Sequence, residues 1–194
     1  MVRFDMKIIN AGELMYDGSQ IAPLWALKEL GVQGDSVVFF TGAMSVKRDA
    51  LVDVRDFIEH NIEVPISSDN ALHFIIEHFD NPCLRLCYHR QRILINIVKE
   101  KIIDAGGVQI KREISDIYLD DKKLSVSVAT ASSGSSKIHL GLNISSTGAP
   151  DGVKIVGLEE LGIIDPVMLA NDIAQDYIKE ISAIDNDISK TRVF

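Results

Sequence analysis

Only two cysteines, Cys83 and Cys87, occur in the 194 residues, too few for a disulfide framework and lacking the second pair that a structural zinc site needs. They read as reduced thiols that pack as small hydrophobes. Basic residues are also in deficit, with 20 Lys and Arg against 28 Asp and Glu and a formal net charge of -8. Attraction to a nucleic-acid backbone or an anionic membrane relies on clustered cations that displace counterions, so neither is expected as a partner. No apolar run approaches the roughly 20 residues of a membrane helix, and the stretch from Met1 to Lys7 lacks the apolar core of a secretory signal. A cytoplasmic protein is expected. Aromatic residues amount to 6% of the chain, and Trp25, the single tryptophan, reads as a core anchor.

What is present is an ordinary globular composition, 46% hydrophobic and 25% charged. A chain of this length buries enough surface to fold on its core alone, and residues 1–194 read as one domain without a linker or repeat. Leu24, Leu27 and Leu30 before Gly31 predict a short helix with a glycine stop, and Ser36–Phe40 predicts a buried strand that Thr41-Gly42 closes into a loop. Ser67-Ser68-Asp69 offers N-cap chemistry. Leu72, Ile75, Ile76 and Phe79 then recur at i, i+3, i+4 and i+7, which predicts a helix and leaves a short strand open. A longer helix is predicted from about His89 to Ala105, ended by Gly106-Gly107. The period then changes to that of strands, with a hairpin over Ile117–Val128 and alternation of Ile138, Leu140, Leu142 and Ile144. The tail from Pro166 is helical through Leu169, Ile173, Tyr177 and Ile181.

Candidate ligand-facing residues cluster in the strand-rich half. Alternation puts Lys123, Ser125 and Ser127 on one face, opposite Leu124, Val126 and Val128. Lys137 and His139 share a face and, with Arg90 and Arg92, would make a cationic cluster near Lys123 suited to a carboxylate or phosphate. Gln20, in the polar cluster Tyr16–Gln20, joins this set. A different chemistry is offered by His73, Glu77 and His78. On a helix His73 and Glu77 share one face and His78 lies about 100° further round, a spacing that fits neither common zinc-protease motif. Metal-dependent hydrolysis through these three is therefore an alternative, and no metal ligand is assigned.

The residues Asp116-Ile117-Tyr118-Leu119-Asp120-Asp121-Lys122-Lys123-Leu124 resemble the biotin ligase stretch Asn-Asp-Leu-Tyr-Leu-x-x-Arg-Lys-Leu, with Lys123 on the active-site lysine. Lys137-Ile138-His139-Leu140-Gly141-Leu142-Asn143-Ile144 is similar to the lipoyl ligase pattern of a His-Gly pair leading into a strand. The resemblance implies an α+β fold with a mostly antiparallel sheet flanked by helices, like that of class II aminoacyl-tRNA synthetases and biotin/lipoate protein ligases. It also implies Lys123 as the electrostatic catalyst of acyl-adenylate formation, Asp116 as ligand to nucleotide or magnesium, ATP and magnesium as cofactors, a small anionic ligand, and a homodimer as an open expectation. Three positions depart from the ligase pattern. Ser67-Ser68-Asp69-Asn70 replaces a glycine-rich phosphate loop, Ser115 replaces asparagine, and Val126 stands where the ligases have glycine. A non-catalytic interaction protein on the same scaffold is the second expectation. Over most of its length, on Tyr16–Gln20, Leu72–Phe79, Arg90-Gln91-Arg92 and Lys123–Ser132, the chain is also similar to the uncharacterised, largely archaeal domain-of-unknown-function family 366, which brings no activity with it.

Overall fold

In the computed structural model, which describes residues 5–54 and 66–192, β-branched and aromatic runs assemble a five-stranded sheet. Its strands are β1 (Lys7–Glu13), β2 (Ser36–Val46), β3 (Ile66–His78), β7 (Ser125–Ala131) and β8 (Ser136–Asn143), in the order β1-β2-β3-β8-β7. Only the β1–β2 pair is parallel. A second, three-stranded sheet joins β4 (Lys111–Glu113), β5 (Asp116–Leu119) and β6 (Lys122–Lys123). The α-helices among the described residues include α1 (Trp25–Leu30), α2 (Leu84–Gly106) and α3 (Pro166–Lys190). This is the expected α+β architecture, with a mostly antiparallel sheet. No helix among the described residues is long and apolar enough to cross a membrane.

The segment from Leu72 to Phe79 is not a helix. It falls in β3, which lies between β2 and β8 and is covered on both faces, so odd and even positions alike are buried. A continuous apolar run satisfies the helical spacing by coincidence, and burial on both faces removes the alternation that marks a strand. Ser67-Ser68-Asp69 is accordingly the start of that strand and caps nothing. In the opposite sense, Leu84–Tyr88, in which Leu84, Leu86 and Tyr88 alternate as in a strand, forms the first turns of α2. There Cys87 is fully buried and its thiol donates to the Lys137 carbonyl at 3.2 Å.

Leu72, Phe74 and Ile76 face the helix side of β3 and pack with Ile138, Leu140 and Leu142 of β8 against α2 and α3. Each such side chain, fully buried, stabilises the fold by about 1.5–3 kcal/mol. Helix α3 begins as its sequence implies, with Asp165 accepting from the Met168 N–H at 2.8 Å and Pro166 in the first turn, and buries Leu169, Ile173, Tyr177 and Ile181. Helix α2 stops at Gly107, whose φ of 62° suits a left-handed cap.

The opposite face of the sheet carries a second, smaller core of Tyr16, Ile21, Trp25, Phe40, Met44 and Ile75. Strand β2 does not close into a loop at Thr41-Gly42 but runs on to Val46, shifting register against β3 between Gly42 and Met44. At Gly42 φ is 152°, and an added Cβ would collide with the backbone carbonyl of Leu14. That close approach lets Leu14 N–H donate to Thr41 O and Tyr16 N–H to Ala43 O, both at 2.9 Å. The chain after β1 is thereby laid along β2, and Tyr16 is set over the sheet.

Candidate functional site

Between this second face and the loops above it lies a cavity of about 230 Å³. Val126 and Val128 of β7 and His139 of β8 line it from the sheet, and Met44, Val46 and Ile66 close one wall. Tyr16, Ile21 and Leu51 contribute from the loops, so the body of the cavity is mainly aliphatic. Its polar lining comes from Asp53, Ser67, Ser115, Asp116, Lys123 and Asn143.

Lys123 is held there by its own backbone. Its N–H donates to Lys154 O at 2.8 Å, and its carbonyl accepts from Val156 N–H at 3.1 Å and Asn143 Nδ2 at 3.2 Å. Because β6 ends at Lys123 and a new strand begins at Ser125, the lysine is not bound to the alternation of β7. Its Nζ stands 2.8 Å from Asp116 Oδ2, with the two side chains 29% and 23% exposed. The predicted pair of Lys123 and Asp116 therefore meets on the cavity. A lysine has three N–H donors, and Asp116 occupies one.

Neutral aromatic groups form the other polar part of the lining. The Tyr16 ring stacks on His139 with centroids 3.6 Å apart and planes 9° from parallel. His139 Nε2 lies 3.1 Å from His73 Nδ1, and His73 Nε2 lies 3.3 Å from Gly42 O. Burial pushes the His73 pKa down to about 4, partly opposed by the Gly42 carbonyl. Burial, with His73 adding to it, holds His139 well below its ordinary value. Burial and the nearby Asp17 carboxylate raise the Tyr16 hydroxyl. All three are uncharged at neutral pH.

Other predicted residues sit elsewhere or do other work. Of Ser125 and Ser127, only Ser127 lines the cavity with Lys123. Ser125 Oγ accepts from Ile117 N–H at 2.8 Å, and Ser127 Oγ, though on the cavity wall, donates to His139 O and accepts from Gln91 Nε2. The valines of β7, assigned by alternation to the far face, are the ones that line the cavity. Lys137 is not part of a cationic cluster with His139. It is 2% exposed and paired with Glu77 at 2.8 Å, and it lines a separate small cleft beside Pro23 and Ser135. Arg90 grips Asp80 through two bonds of 2.8 and 2.7 Å, and Arg92 donates to Gln91 Oε1 while lying over the Tyr88 ring. Gln20 ties down its own turn, donating to Met15 O and accepting from Asp17 N–H.

In a strand, His73 and Glu77 do share a face, but each is engaged with a different partner, and His78 points to the other side. There His78 contacts Asp35 at 3.2 Å and Tyr177 Oη at 2.9 Å. Among the described residues one group, Asp35, His78 and Asp80, has metal-ligand proximity, and Arg90 already neutralises Asp80. The polar cavity-lining residues that sequence reasoning did not single out include Tyr16, Asn143 and Asp53. Tyr16 and Asn143 stand inside stretches singled out for resemblance, whereas Asp53, beside Arg55 and Asp56 in sequence, carries only the pattern of surface charge. Of the stretch Asp53–Asp56, residues 55 and 56 lie outside the described residues.

Comparison with known proteins adds the following. Residues 6–192 match the family described as "Domain of unknown function (DUF366)". An uncharacterized protein of Methanocaldococcus jannaschii is 45% identical over 179 residues, covering 92% of this chain and 80% of that one. A solved protein of unknown function from Pyrococcus horikoshi superposes with a TM-score of 0.91 at 37% identity, covering 97% and 99% of the two chains. The biotin protein ligase of Aquifex aeolicus in complex with biotin and ATP superposes with a TM-score of 0.60 at 15% identity, covering 90% of this chain and 71% of the ligase. That likeness is one of fold.

Proposed function

Because the chain belongs to the DUF366 family and has the fold of biotin protein ligases, we propose that its cavity binds a small carboxylic acid, with the carboxylate at Lys123 and an apolar body against Val126, Val128 and Met44. The observation that carries this reading is the ion pair of Lys123 and Asp116 on the wall of an otherwise aliphatic cavity. A charge-assisted hydrogen bond from the remaining Lys123 donors contributes about 1.5–3 kcal/mol. Each methylene that leaves water adds about 0.8 kcal/mol. The placement also supports Lys123 as the residue that would neutralise charge on a bound acyl group, since a fixed cation in a water-poor site needs no reorganisation.

The ligase resemblance further implies ATP and magnesium, and the residues at the phosphate-loop position do not fit a triphosphate. Ser67 and Ser68 pair with Ser45 and Met44 inside the sheet, Asp69 N–H donates to Thr147 O at 3.1 Å, and the Asp69 side chain adds negative charge. Backbone amides cradle phosphate only when they are unengaged and converge on it. No step through ATP is therefore assigned.

The test is thermal denaturation and calorimetric titration of wild type and Lys123→Ala with octanoate, AMP, and ATP with magnesium. A ligand that prefers the native state raises its melting temperature by mass action. The expected result is stabilisation by octanoate, weakened roughly 10- to 100-fold in Lys123→Ala. Equal binding by the two proteins overturns the reading. A shift with AMP that depends on Lys123 extends it to the acyl-adenylate, and no shift with any compound favours a non-catalytic interaction protein.

A further inference from the structure

The two histidines beside the cavity have a proton arrangement that follows from their partners. A carbonyl only accepts, so His73 Nε2, 3.3 Å from Gly42 O, must carry the proton. Neutral imidazole has one N–H, which leaves His73 Nδ1 bare, an acceptor. The ring nitrogen facing it at 3.1 Å, His139 Nε2, must then be the donor. His139 has spent its one proton in that bond, and its Nδ1 is left with an open lone pair.

No hydrogen bond to that Nδ1, or to the Tyr16 hydroxyl, occurs among the described residues. His139 is 2% exposed and lines the cavity together with Tyr16. The Nδ1 atom is not sealed off from the cavity that its residue lines, so a ligand entering there can supply the donor that water otherwise supplies. The aromatic sandwich prevents the ring from turning to find another partner, because Tyr16 lies flat against His139 and Phe40 against His73, with centroids 3.6 and 5.0 Å apart.

We propose that the histidine end of this cavity accepts a neutral hydrogen-bond donor, an O–H or N–H carried at the end of the ligand remote from its carboxylate, with His139 Nδ1 as the acceptor and the Tyr16 ring stacked on the imidazole. The proposal rests on the carboxylate-binding reading above and deepens it, since it names the second polar group of the ligand. It makes the ligand a bifunctional molecule, an acid at one end and an uncharged donor at the other, with an apolar spacer between. A carboxylate at the remote end would meet a bare lone pair, and an ammonium would be buried without a counterion. The neutral state of His73 and His139, enforced by burial, keeps the arrangement intact at physiological pH.

The experiment compares four acids of equal length, octanoate, 8-hydroxyoctanoate, 8-aminooctanoate and suberate, by titration calorimetry with the full chain and with His139→Phe. Long-range ¹H–¹⁵N NMR on histidine-labelled protein reports the tautomers directly. The expected result is that 8-hydroxyoctanoate binds roughly fivefold more tightly than octanoate, the net effect of one hydrogen bond, and that both charged variants bind more weakly than octanoate. In His139→Phe, checked for folding by its own melting curve, the hydroxyl preference vanishes. The NMR spectrum is expected to show His73 and His139 both protonated at Nε2. His139 protonated at Nδ1, or equal affinity for the hydroxyl and methyl ends, overturns the proposal while leaving the carboxylate reading intact. If none of the acids binds, the carboxylate reading fails, and 1-hexanol, which asks nothing of Lys123, decides the histidine end alone. A movement of the His139 Nδ1 resonance on adding it upholds the assignment, and an unmoved resonance up to the solubility limit overturns it.

Discussion

Replacing Lys137 with methionine is expected to cost more stability than any substitution on the cavity wall. Lys137 and Glu77 are each 2% exposed and 2.8 Å apart. The ammonium also donates to Ala22 O, while Glu77 Oε1 accepts from Leu24 N–H at 3.0 Å and Ser135 Oγ at 2.6 Å. Leu24 sits at a φ of 64°, a left-handed conformation that leucine adopts at a cost of about 1–2 kcal/mol and that the bond to Glu77 helps to hold. Burial pulls the Lys137 pKa down, and its bond and charge interaction with Glu77 push back. Lys137→Met leaves a carboxylate buried without its cation, which costs about 3–5 kcal/mol. For a chain of this size that is a fall in Tm of roughly 6–20 °C. Urea unfolding at pH 7 measures it, and the double variant Glu77→Gln/Lys137→Met is expected to recover at least about 2 kcal/mol as a coupling energy. A loss below about 1 kcal/mol for Lys137→Met, or additive single effects, would refute the view that this pair clamps the Ala22–Leu24 turn to β3 and β8.

Acid is expected to weaken the fold through His73. Its pKa is near 6.5 when unfolded and about 4 when folded, so between those values the unfolded chain binds a proton that the native chain does not. Stability is complete above pH 6.5 and declines as pH falls toward 4, by up to about 3 kcal/mol. Urea titrations at several pH values read the slope, and His73→Gln is expected to flatten it; an unchanged slope removes His73 as the cause. Gly42→Ala is expected to destabilise by about 3 kcal/mol, because the new Cβ meets the Leu14 backbone. Gly107→Ala, where φ is 62° and the space is open, is expected to cost about 1–2 kcal/mol. The reverse order would show that the segment around Leu14 can shift away from β2.

Helix α3 was legible from sequence because only one side meets the core, which leaves its period visible. Strand β8 is buried at every position but was legible because Ile138, Leu140 and Leu142 still alternate with small or polar residues. Strand β3 was misread as helix because Ile75 between Phe74 and Ile76 breaks that alternation, as burial on both faces permits. For the site, resemblance singled out Lys123 and Asp116, which lie 2.8 Å apart on the cavity wall. Lys137 and Arg90 were drawn into the same set by their charge. Yet each has a private carboxylate contributed by another strand or loop, and no local pattern announces a partner 60 or 10 residues away. The pairing of His73 with His139 spans 66 residues and was invisible for the same reason.

That separation has a kinetic side. The cavity is assembled from the chain around Tyr16, from β2 and β3, and from β7 and β8, so its two halves come together only when β3 docks against β8. Pairings of this kind carry a high contact order and require closure of a long loop before any contact rewards it. An N-terminal portion emerging from the ribosome holds Tyr16 and His73 but lacks Lys123 and His139. The cavity is thus complete only late in synthesis, and a ligand bound as proposed would brace the seam at which the two halves of the sheet would otherwise part.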